Sequence, residues 1–169
     1  MSFLYYQDGS KIIADVPILY QGKTNTCAQA CITMVLIYWG FDVTYEDIIQ
    51  YTTGGRDEGL TYDQIVWTFR KYGLHAEYMS GRFEILKSYI DKSWPTIVEW
   101  QEKSFDHVVT VVGYNDNTEL IYYIDPHFGN LLHEPYSSFI KNWSSVKRMD
   151  STGMAGGVGR TNLLFKVYR

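Results

Sequence analysis

The strongest hydrophobic pattern in the chain runs from Cys27 to Trp39, where apolar side chains recur every three or four residues and cover nearly all sides of a helix. Asn25 or Thr26 can cap the start of this helix, and Gly40 ends it. A helix that is apolar all round must be buried among other elements. The pattern therefore predicts a central helix that begins at Cys27.

Four further helices are predicted by their end signals and by the spacing of their apolar residues. A capping box at Thr44 opens a helix that reaches about Tyr51, and a second capping box at Thr61 opens one that ends at Gly73. The two shorter helices cover about Phe83–Asp91 and Tyr136–Trp143.

Strands are predicted where β-branched or aromatic runs are bounded by turn signals. These runs are Phe3–Tyr6, Lys11–Leu19, Thr96–Glu99, His107–Gly113, Leu120–Ile124 and Leu163–Val167. The helices therefore dominate the first half of the chain and the strands the second half. This segregation predicts an α+β fold with an antiparallel sheet. Before the last strand, Gly153–Gly159 is predicted to be a mobile hairpin loop.

The chain has 169 residues, the length of one domain, so residues 1–169 are predicted to fold as a single unit. Its 15 basic and 19 acidic residues give a net charge of −4, without a Lys/Arg cluster, so nucleic acid is not an expected partner. No apolar run reaches the roughly 18 residues that a membrane span needs, and the first residues lack the features of a signal peptide. The chain as written is accordingly expected to be cytoplasmic, and a secreted or delivered form is the alternative.

Cys27 and Cys31 are the two cysteines of the chain. The unpaired N–H groups and the positive dipole at a helix beginning stabilise an anion, so they favour a thiolate at Cys27. A histidine paired with this sulfur would make it a nucleophile at neutral pH. Cys31, one turn further on, is expected to be a small buried hydrophobe. The four histidines complete no standard zinc spacing with the cysteines, so no metal or cofactor is expected.

Three polar residues are candidates to act with Cys27. Gln21 lies six residues upstream across a polar loop, where its amide and the Cys27 backbone N–H are suited to donate to an oxyanion. His107 opens an apolar run and is expected at the exposed end of a strand, while Asp125 ends the next run after a short connection. Antiparallel neighbours place the start of one strand beside the end of the next. His107 and Asp125 are therefore predicted to meet, with Asp125 orienting the imidazole.

A longer set of motifs accompanies these four residues. In chain order it reads Asp15-Val16-Pro17, Gln21-x5-Cys27-x2-Ala30, Gly40, Lys71-Tyr72-Gly73-Leu74, Trp94-Pro95-Thr96-Ile97-Val98, Asp106-His107-Val108-Val109, Gly113-Tyr114, Asp125-Pro126 and Pro135-Tyr136-Ser137-Ser138-Phe139-x3-Trp143. This set resembles the double-glycine (bacteriocin-processing) peptidase family of papain-like cysteine peptidases. The resemblance covers roughly Val16 to Trp143, most of the chain.

The resemblance implies a papain-like fold in which Cys27 is the nucleophile, His107 the general base and acid, and Asp125 the orienting residue. It also implies that Gln21 is the oxyanion donor and that the substrate is a peptide or protein cut in an extended segment, after Gly-Gly. Ala28 stands where the family usually has a glycine directly after the nucleophile. The best-known members are amino-terminal domains of export transporters, whereas this chain is expected to be a freestanding peptidase-like domain.

Three other interpretations stay open at the level of sequence. The same Cys–His–Asp order serves glutamine deamidases and transglutaminases, because they also form a thioester and differ in what attacks it. A non-catalytic relative would keep the fold and use aromatic residues such as Trp100 and Tyr114 to hold a peptide. A metal site built from Asp125, His127 and His133 is the third interpretation. Ammonia release would distinguish the deamidase class from a peptidase, and rapid alkylation of the reactive cysteine would argue against a mere binding module.

Overall fold

The computed structural model describes residues 3–102, 105–144 and 162–169, and the predicted hairpin loop at 153–159 lies outside them. The helices of the described residues are α1 (Cys27–Tyr38), α2 (Tyr45–Thr53), α3 (Tyr62–Lys71), α4 (Phe83–Asp91) and α5 (Tyr136–Ser144). The strands are β1 (Phe3–Tyr5), β2 (Lys11–Ile13), β3 (His75–Ser80), β4 (Thr96–Glu102), β5 (Phe105–Asn115), β6 (Leu120–Asp125), β7 (Asn130–Pro135) and β8 (Leu163–Tyr168). Within these ranges, every helix falls short of the length and apolarity that a bilayer span requires.

The strands of the described residues form one sheet in which each pair of neighbours is antiparallel, so the predicted α+β class is confirmed. The sheet runs in the order β1-β2-β5-β4-β8-β3, and β6 pairs with β5 and β7. Trp100 of β4 lies opposite His107 of β5, and Thr110 of β5 lies opposite Ile124 of β6. This register brings the beginning of β5 close to the end of β6.

Alternate residues of the two central strands pack on opposite faces of the sheet. Ile97 and Val108 belong to the cluster that includes the buried side chains of α1, α2 and α3. Val98 and Val109 belong to a second cluster with the buried side chains of α4 and α5. The sheet therefore lies between two groups of helices, and each group covers one of its faces.

Helix α1 is the central helix that the sequence predicts. Every residue from Ala28 to Leu36 is buried, because the helix packs against β5 and also against α2 and α3. The capping boxes at Thr44 and Thr61, which open the two packing partners α2 and α3, are both present. Cys27, the first residue of α1, is only half-buried. The packing of α1 therefore leaves the Cys27 thiol half-buried at the beginning of a helix whose next nine residues are buried.

Four local features differ from the sequence-based expectations. The strands β3 and β7 were not predicted, and β3 breaks the helical character of the first half. Only Lys11–Ile13 of the predicted strand Lys11–Leu19 is extended in the sheet, because Asp15 takes a turn conformation with φ of 65°. His107 is the third residue of β5 and its side chain is buried, so it does not lie at an exposed strand end.

Candidate active site

The loop that leads into α1 is held by a network of hydroxyl groups. Thr26, the residue that precedes α1, shares hydrogen bonds with the hydroxyls of Tyr45 and of Thr24, the latter at 2.5 Å. The Thr24 hydroxyl also donates to the carbonyl oxygen of Gln21 at 2.5 Å. Because the Thr26 side chain makes no capping bond to α1, the N–H groups of the first turn stay available to an anion at Cys27.

His107 and Asp125 form a buried hydrogen-bonded pair on neighbouring strands. Nε2 of His107 lies 2.8 Å from Oδ1 of Asp125. The two residues are only 1% and 2% exposed, so solvent does not compete for this bond. The same carboxylate oxygen accepts the backbone N–H of His127 at 2.8 Å. The carboxylate is therefore fixed from two sides and holds the imidazole in one orientation.

The imidazole of His107 interacts with Cys27 as well as with Asp125. Burial by itself lowers the pKa of a histidine, because it disfavours the charged ring. Here the hydrogen bonds to Asp125 and Cys27, together with the negative charges of both groups, outweigh burial and raise the pKa of His107 from 6.5 to about 9. Since Nε2 is directed at Asp125, Nδ1 is the ring atom left for the sulfur. With this pKa, His107 carries its proton at neutral pH and presents it toward the Cys27 sulfur.

Gln21 makes hydrogen bonds to the turn that follows Asp125 and to the loop that precedes Cys27. Its backbone N–H donates to the carbonyl oxygen of Pro126 at 2.8 Å, next to Asp125 in the chain. Its side chain is buried, and the amide nitrogen donates to the carbonyl oxygen of Thr24 at 2.6 Å. One of the two amide hydrogens is thereby used within the loop. The amide nitrogen carries a second hydrogen, and the amide oxygen is buried without a hydrogen-bond partner among the described residues.

The second cysteine has a different environment. Cys31 is fully buried, and its sulfur lies 3.6 Å from the carbonyl oxygen of Val108 in the core. Burial raises the pKa of the Cys31 thiol well above its usual value. Cys31 thus stays protonated and inaccessible, which agrees with its prediction as a small buried hydrophobe.

A glycine-rich loop between α2 and α3, residues 54–60, borders the site, and its role was not predicted. A carboxylate oxygen of Asp57 accepts the backbone N–H of Asn25 at 2.6 Å. The carbonyl oxygen of Glu58 accepts the side-chain amide of Gln29, a buried residue of α1, at 2.7 Å. The sequence signal for this role is the acidic pair Asp57-Glu58 in the glycine-rich loop, because carboxylates bind favourably at the beginning of a helix. The loop therefore lies against the beginning of α1.

The aromatic residues named for the binding-module interpretation are engaged within the fold. Trp100 is buried and contacts the rings of Tyr123 and Phe139 edge-on, at 5.0 and 5.8 Å between centroids. The hydroxyl of Tyr114 donates to a carboxylate oxygen of Asp91 at 2.6 Å. Trp100 is a core residue, which disfavours the part of the binding-module interpretation that used it to hold a peptide.

The residues of the metal-site interpretation do not form a cluster. Asp125 is committed to His107 and to the backbone of His127, while His133 lies opposite Tyr122 in the β6–β7 pairing. In the described ranges, no group of three or more His, Cys, Asp or Glu side chains is close enough together to hold a metal ion.

The architecture matches solved papain-like peptidase domains. A double-glycine-motif protease from an AMS/PCAT transporter, crystallised with the leader peptide, superposes with a TM-score of 0.67 at 20% identity and covers 99% of this chain and 98% of its own. The peptidase domain of Streptococcus ComA, a bifunctional ABC transporter of a quorum-sensing pathway, also gives 0.67 at 18% identity, covering 90% of this chain and 97% of its own. The fold is therefore that of papain-like cysteine peptidases.

The sequence comparison identifies the family. Residues 13–151 match the Peptidase_C39 like family, so the chain belongs to this family of cysteine peptidases. It is also 29% identical over 131 residues to the lactococcin-G-processing and transport ATP-binding protein LagD of Lactococcus lactis subsp. lactis. That match takes in 76% of this chain but only 18% of LagD.

Proposed function

We propose that the chain hydrolyses an amide bond in an extended peptide through a triad of Cys27, His107 and Asp125. The observation that carries this proposal is the series of hydrogen bonds from Cys27 through the buried His107 to the buried Asp125. A protonated imidazole and a helix beginning both stabilise a thiolate, which is the reactive form of cysteine. The triad therefore supplies a nucleophile and a proton donor at the same place.

In the first half of the reaction, the Cys27 sulfur attacks the carbonyl carbon of the scissile bond. The negative charge that develops on the carbonyl oxygen is stabilised by the backbone N–H of Cys27 and by the second amide hydrogen of Gln21. His107 then gives its proton to the departing nitrogen, and the C–N bond breaks. The products of this half are a thioester on Cys27 and a peptide with a new amino terminus.

In the second half, neutral His107 acts as a base. It takes a proton from a water molecule, whose oxygen attacks the thioester carbon. The carbon–sulfur bond breaks, the new carboxyl terminus leaves, and Cys27 returns to the thiolate beside a protonated His107. Asp125 keeps the ring in one orientation through both halves, since its bond to Nε2 leaves Nδ1 toward the sulfur.

Cleavage after Gly-Gly is the substrate preference that we propose. The relatives named above include a double-glycine-motif protease and a lactococcin-G-processing protein. In this chain, Gly59 belongs to the part of the loop that lies against the beginning of α1, where a Cβ added to it would lie 3.9 Å from the carbonyl oxygen of Asn25. A glycine on this side lets a substrate backbone approach closely, because it carries no Cβ atom. A narrow approach of this kind favours substrates that also lack Cβ atoms next to the scissile bond.

The proposal is tested with a fluorogenic peptide that contains Gly-Gly, a matched peptide in which both glycines are replaced, and a glutamine-rich acceptor protein. New termini are identified by mass spectrometry and ammonia is measured in parallel. We expect cleavage after Gly-Gly by the wild type and by the control Cys31→Ala, and a loss of about 10⁴-fold or more in Cys27→Ala. Ammonia without cleavage would assign the chain to the deamidase or transglutaminase class, and inactivity in both assays to the non-catalytic relatives.

A further inference from the structure

Two large aromatic side chains are exposed directly beside the candidate active site. Tyr20 precedes Gln21, Phe128 follows Asp125 by three residues, and each ring is 59% exposed. The exposed imidazole of His127 directly precedes Phe128 in the chain, and the two rings contact each other edge-on at 4.9 Å between centroids. We call Tyr20, His127 and Phe128 the leaving-side shelf.

The chemistry of the reaction determines which part of a substrate this shelf can meet. In the proposed mechanism His107 protonates the departing nitrogen, so that nitrogen must lie within hydrogen-bond reach of His107. The acyl part of the substrate stays attached to Cys27 at the beginning of α1. The residues after the scissile bond therefore pass over the surface on the His107 side of the site.

The shelf is the surface next to His107 on that side. The ring of His127 lies 6.2 Å from the ring of His107, and its backbone N–H binds the carboxylate that holds His107. Phe128 comes next in the same turn. His127 and Phe128 are thus joined by one short segment of backbone to the carboxylate that orients the general acid.

Tyr20 is held against the same turn from the other side of the site. The bond from the Gln21 N–H to the Pro126 carbonyl joins the two segments. Gly129 adopts φ of +60°, and a Cβ added there would lie 2.7 Å from Cβ of Tyr20. The absence of a side chain at Gly129 therefore lets Tyr20 pack closely over the turn that carries Phe128.

A second pair of exposed aromatic residues has a different setting. Tyr51 and Trp67 stack on each other at 5.5 Å, and Tyr51 also contacts Tyr72, which contacts Phe41. Phe41 follows the carboxyl end of α1, roughly 18 Å from Cys27 at 1.5 Å per residue of helix. That pair therefore serves as the control, because its residues are 45% and 48% exposed and are linked through Tyr72 to the end of α1 opposite Cys27.

We propose that the leaving-side shelf binds the side chain of the first residue after the scissile bond and selects a large apolar side chain over a small polar one. A large apolar substrate side chain would bury the exposed rings of the shelf and so add binding free energy. A serine side chain would bury little of this surface and add little. The inference rests on the proposed peptidase function and adds a specificity on the leaving side of the bond.

The test uses two peptides that are identical up to Gly-Gly and differ only in the next residue, Phe or Ser. The quantity measured is the ratio of kcat/KM for the Phe peptide to that for the Ser peptide. We expect a ratio of about tenfold or more in the wild type and in the control Trp67→Ala. In Phe128→Ala and Tyr20→Ala the ratio should fall towards one, and Phe128→Leu should give an intermediate value.

The outcomes separate the inference from the function on which it rests. Cleavage of both peptides with a ratio near one in the wild type, or an unchanged ratio in Phe128→Ala and Tyr20→Ala, would overturn the shelf and leave the peptidase proposal intact. Cleavage of neither peptide by folded wild type would overturn both. Thermal unfolding of each variant, followed by circular dichroism, shows that the ratios come from folded protein.

Discussion

The backbone N–H of Gln21 donates a 2.8 Å hydrogen bond to the carbonyl oxygen of Pro126. This bond joins the loop that leads to Cys27 with the turn that follows Asp125, although the two segments are more than 100 residues apart in the chain. The nucleophile comes from a helix and its partners from a sheet, so their relative position depends on contacts between the two. The Gln21–Pro126 bond is one such contact at the reacting groups themselves.

The two cysteines should differ sharply in reactivity. Cys27 is half-buried at a helix beginning beside His107, whereas Cys31 is fully buried and the pKa of its thiol is raised by burial. Iodoacetamide at pH 6 should therefore label Cys27 and spare Cys31 in the folded protein. Tandem mass spectrometry locates the label, and unfolding in denaturant at higher pH supplies the control in which both thiols react. Preferential labelling of Cys31 would show that the nucleophile is assigned to the wrong residue.

The sequence predicts α1 and the antiparallel pairing well for a physical reason. An all-round apolar helix and a β-branched run such as Val108–Val112 leave few alternatives for burial. The edge strands β3 and β7 escape prediction because each has a partner on one side only and buries few side chains. Their pattern alone does not distinguish them from loops, and tertiary pairing decides their conformation.

The candidate site likewise has parts that the sequence pattern predicts and parts that tertiary packing decides. The meeting of His107 and Asp125 can be inferred from antiparallel pairing and a short connection. By contrast, the burial of His107 and the contact of Tyr20 with Gly129 depend on how a turn and a loop pack together. The spacing of apolar residues in the sequence does not predict such packing. The Gly129 contact joins two segments that are far apart in the chain, so no local sequence pattern predicts it.

Removal of the Gln21 side chain should impair the chemical step and spare substrate binding. Gln21→Ala is expected to lower kcat by about 10²–10³-fold with little change in KM, because one preorganised oxyanion donor is lost. The backbone bond to Pro126 is kept and only the side-chain bond to the Thr24 carbonyl is lost, so the melting temperature should fall modestly while the protein stays folded. Full activity in this variant would assign Gln21 to the loop structure alone.

Asp125→Asn should shift the pH profile of the enzyme. The negative charge and hydrogen bond of Asp125 help to raise the pKa of His107 to about 9, so their removal lowers that pKa. The alkaline limb of kcat/KM, which reports loss of the imidazolium, should lie near pH 9 in the wild type and move to lower pH in the variant. Asp106→Asn, an exposed neighbour of His107 with the same change of charge, should move the limb less.

The same pair should make folding stability depend on pH. The pKa of His107 is higher in the folded protein than its ordinary value of 6.5, so protonation favours the folded state. This contribution to the free energy of unfolding is complete below about pH 6.5 and is lost as the pH rises through about 9. Urea titrations across this range should show the loss in the wild type and a smaller loss in His107→Gln. An equal decline in both would assign the pH dependence to other groups.

Gly113 should be intolerant of a side chain for a reason visible in the sheet. A Cβ at this position would lie 2.5 Å from the carbonyl oxygen of Lys11 and 3.0 Å from Cα of Ile12, both backbone atoms of β2. Gly113→Ala is therefore expected to lower the free energy of unfolding by about 1–3 kcal/mol. Gly59→Ala is the control, because its nearest neighbour would be 3.9 Å away. Equal stability of the two variants in chemical denaturation would show that β2 can shift without cost.

The central claim is that Cys27 forms a thioester with the acyl part of a peptide substrate. Acid quenching within the first turnover of a peptide ester that ends in Gly-Gly, followed by mass spectrometry of the intact protein, measures this directly. The account predicts a mass increase equal to the acyl group, located on Cys27 by tandem mass spectrometry and absent from Cys27→Ala. An acyl group on any other residue, or continued cleavage by Cys27→Ala, would contradict it.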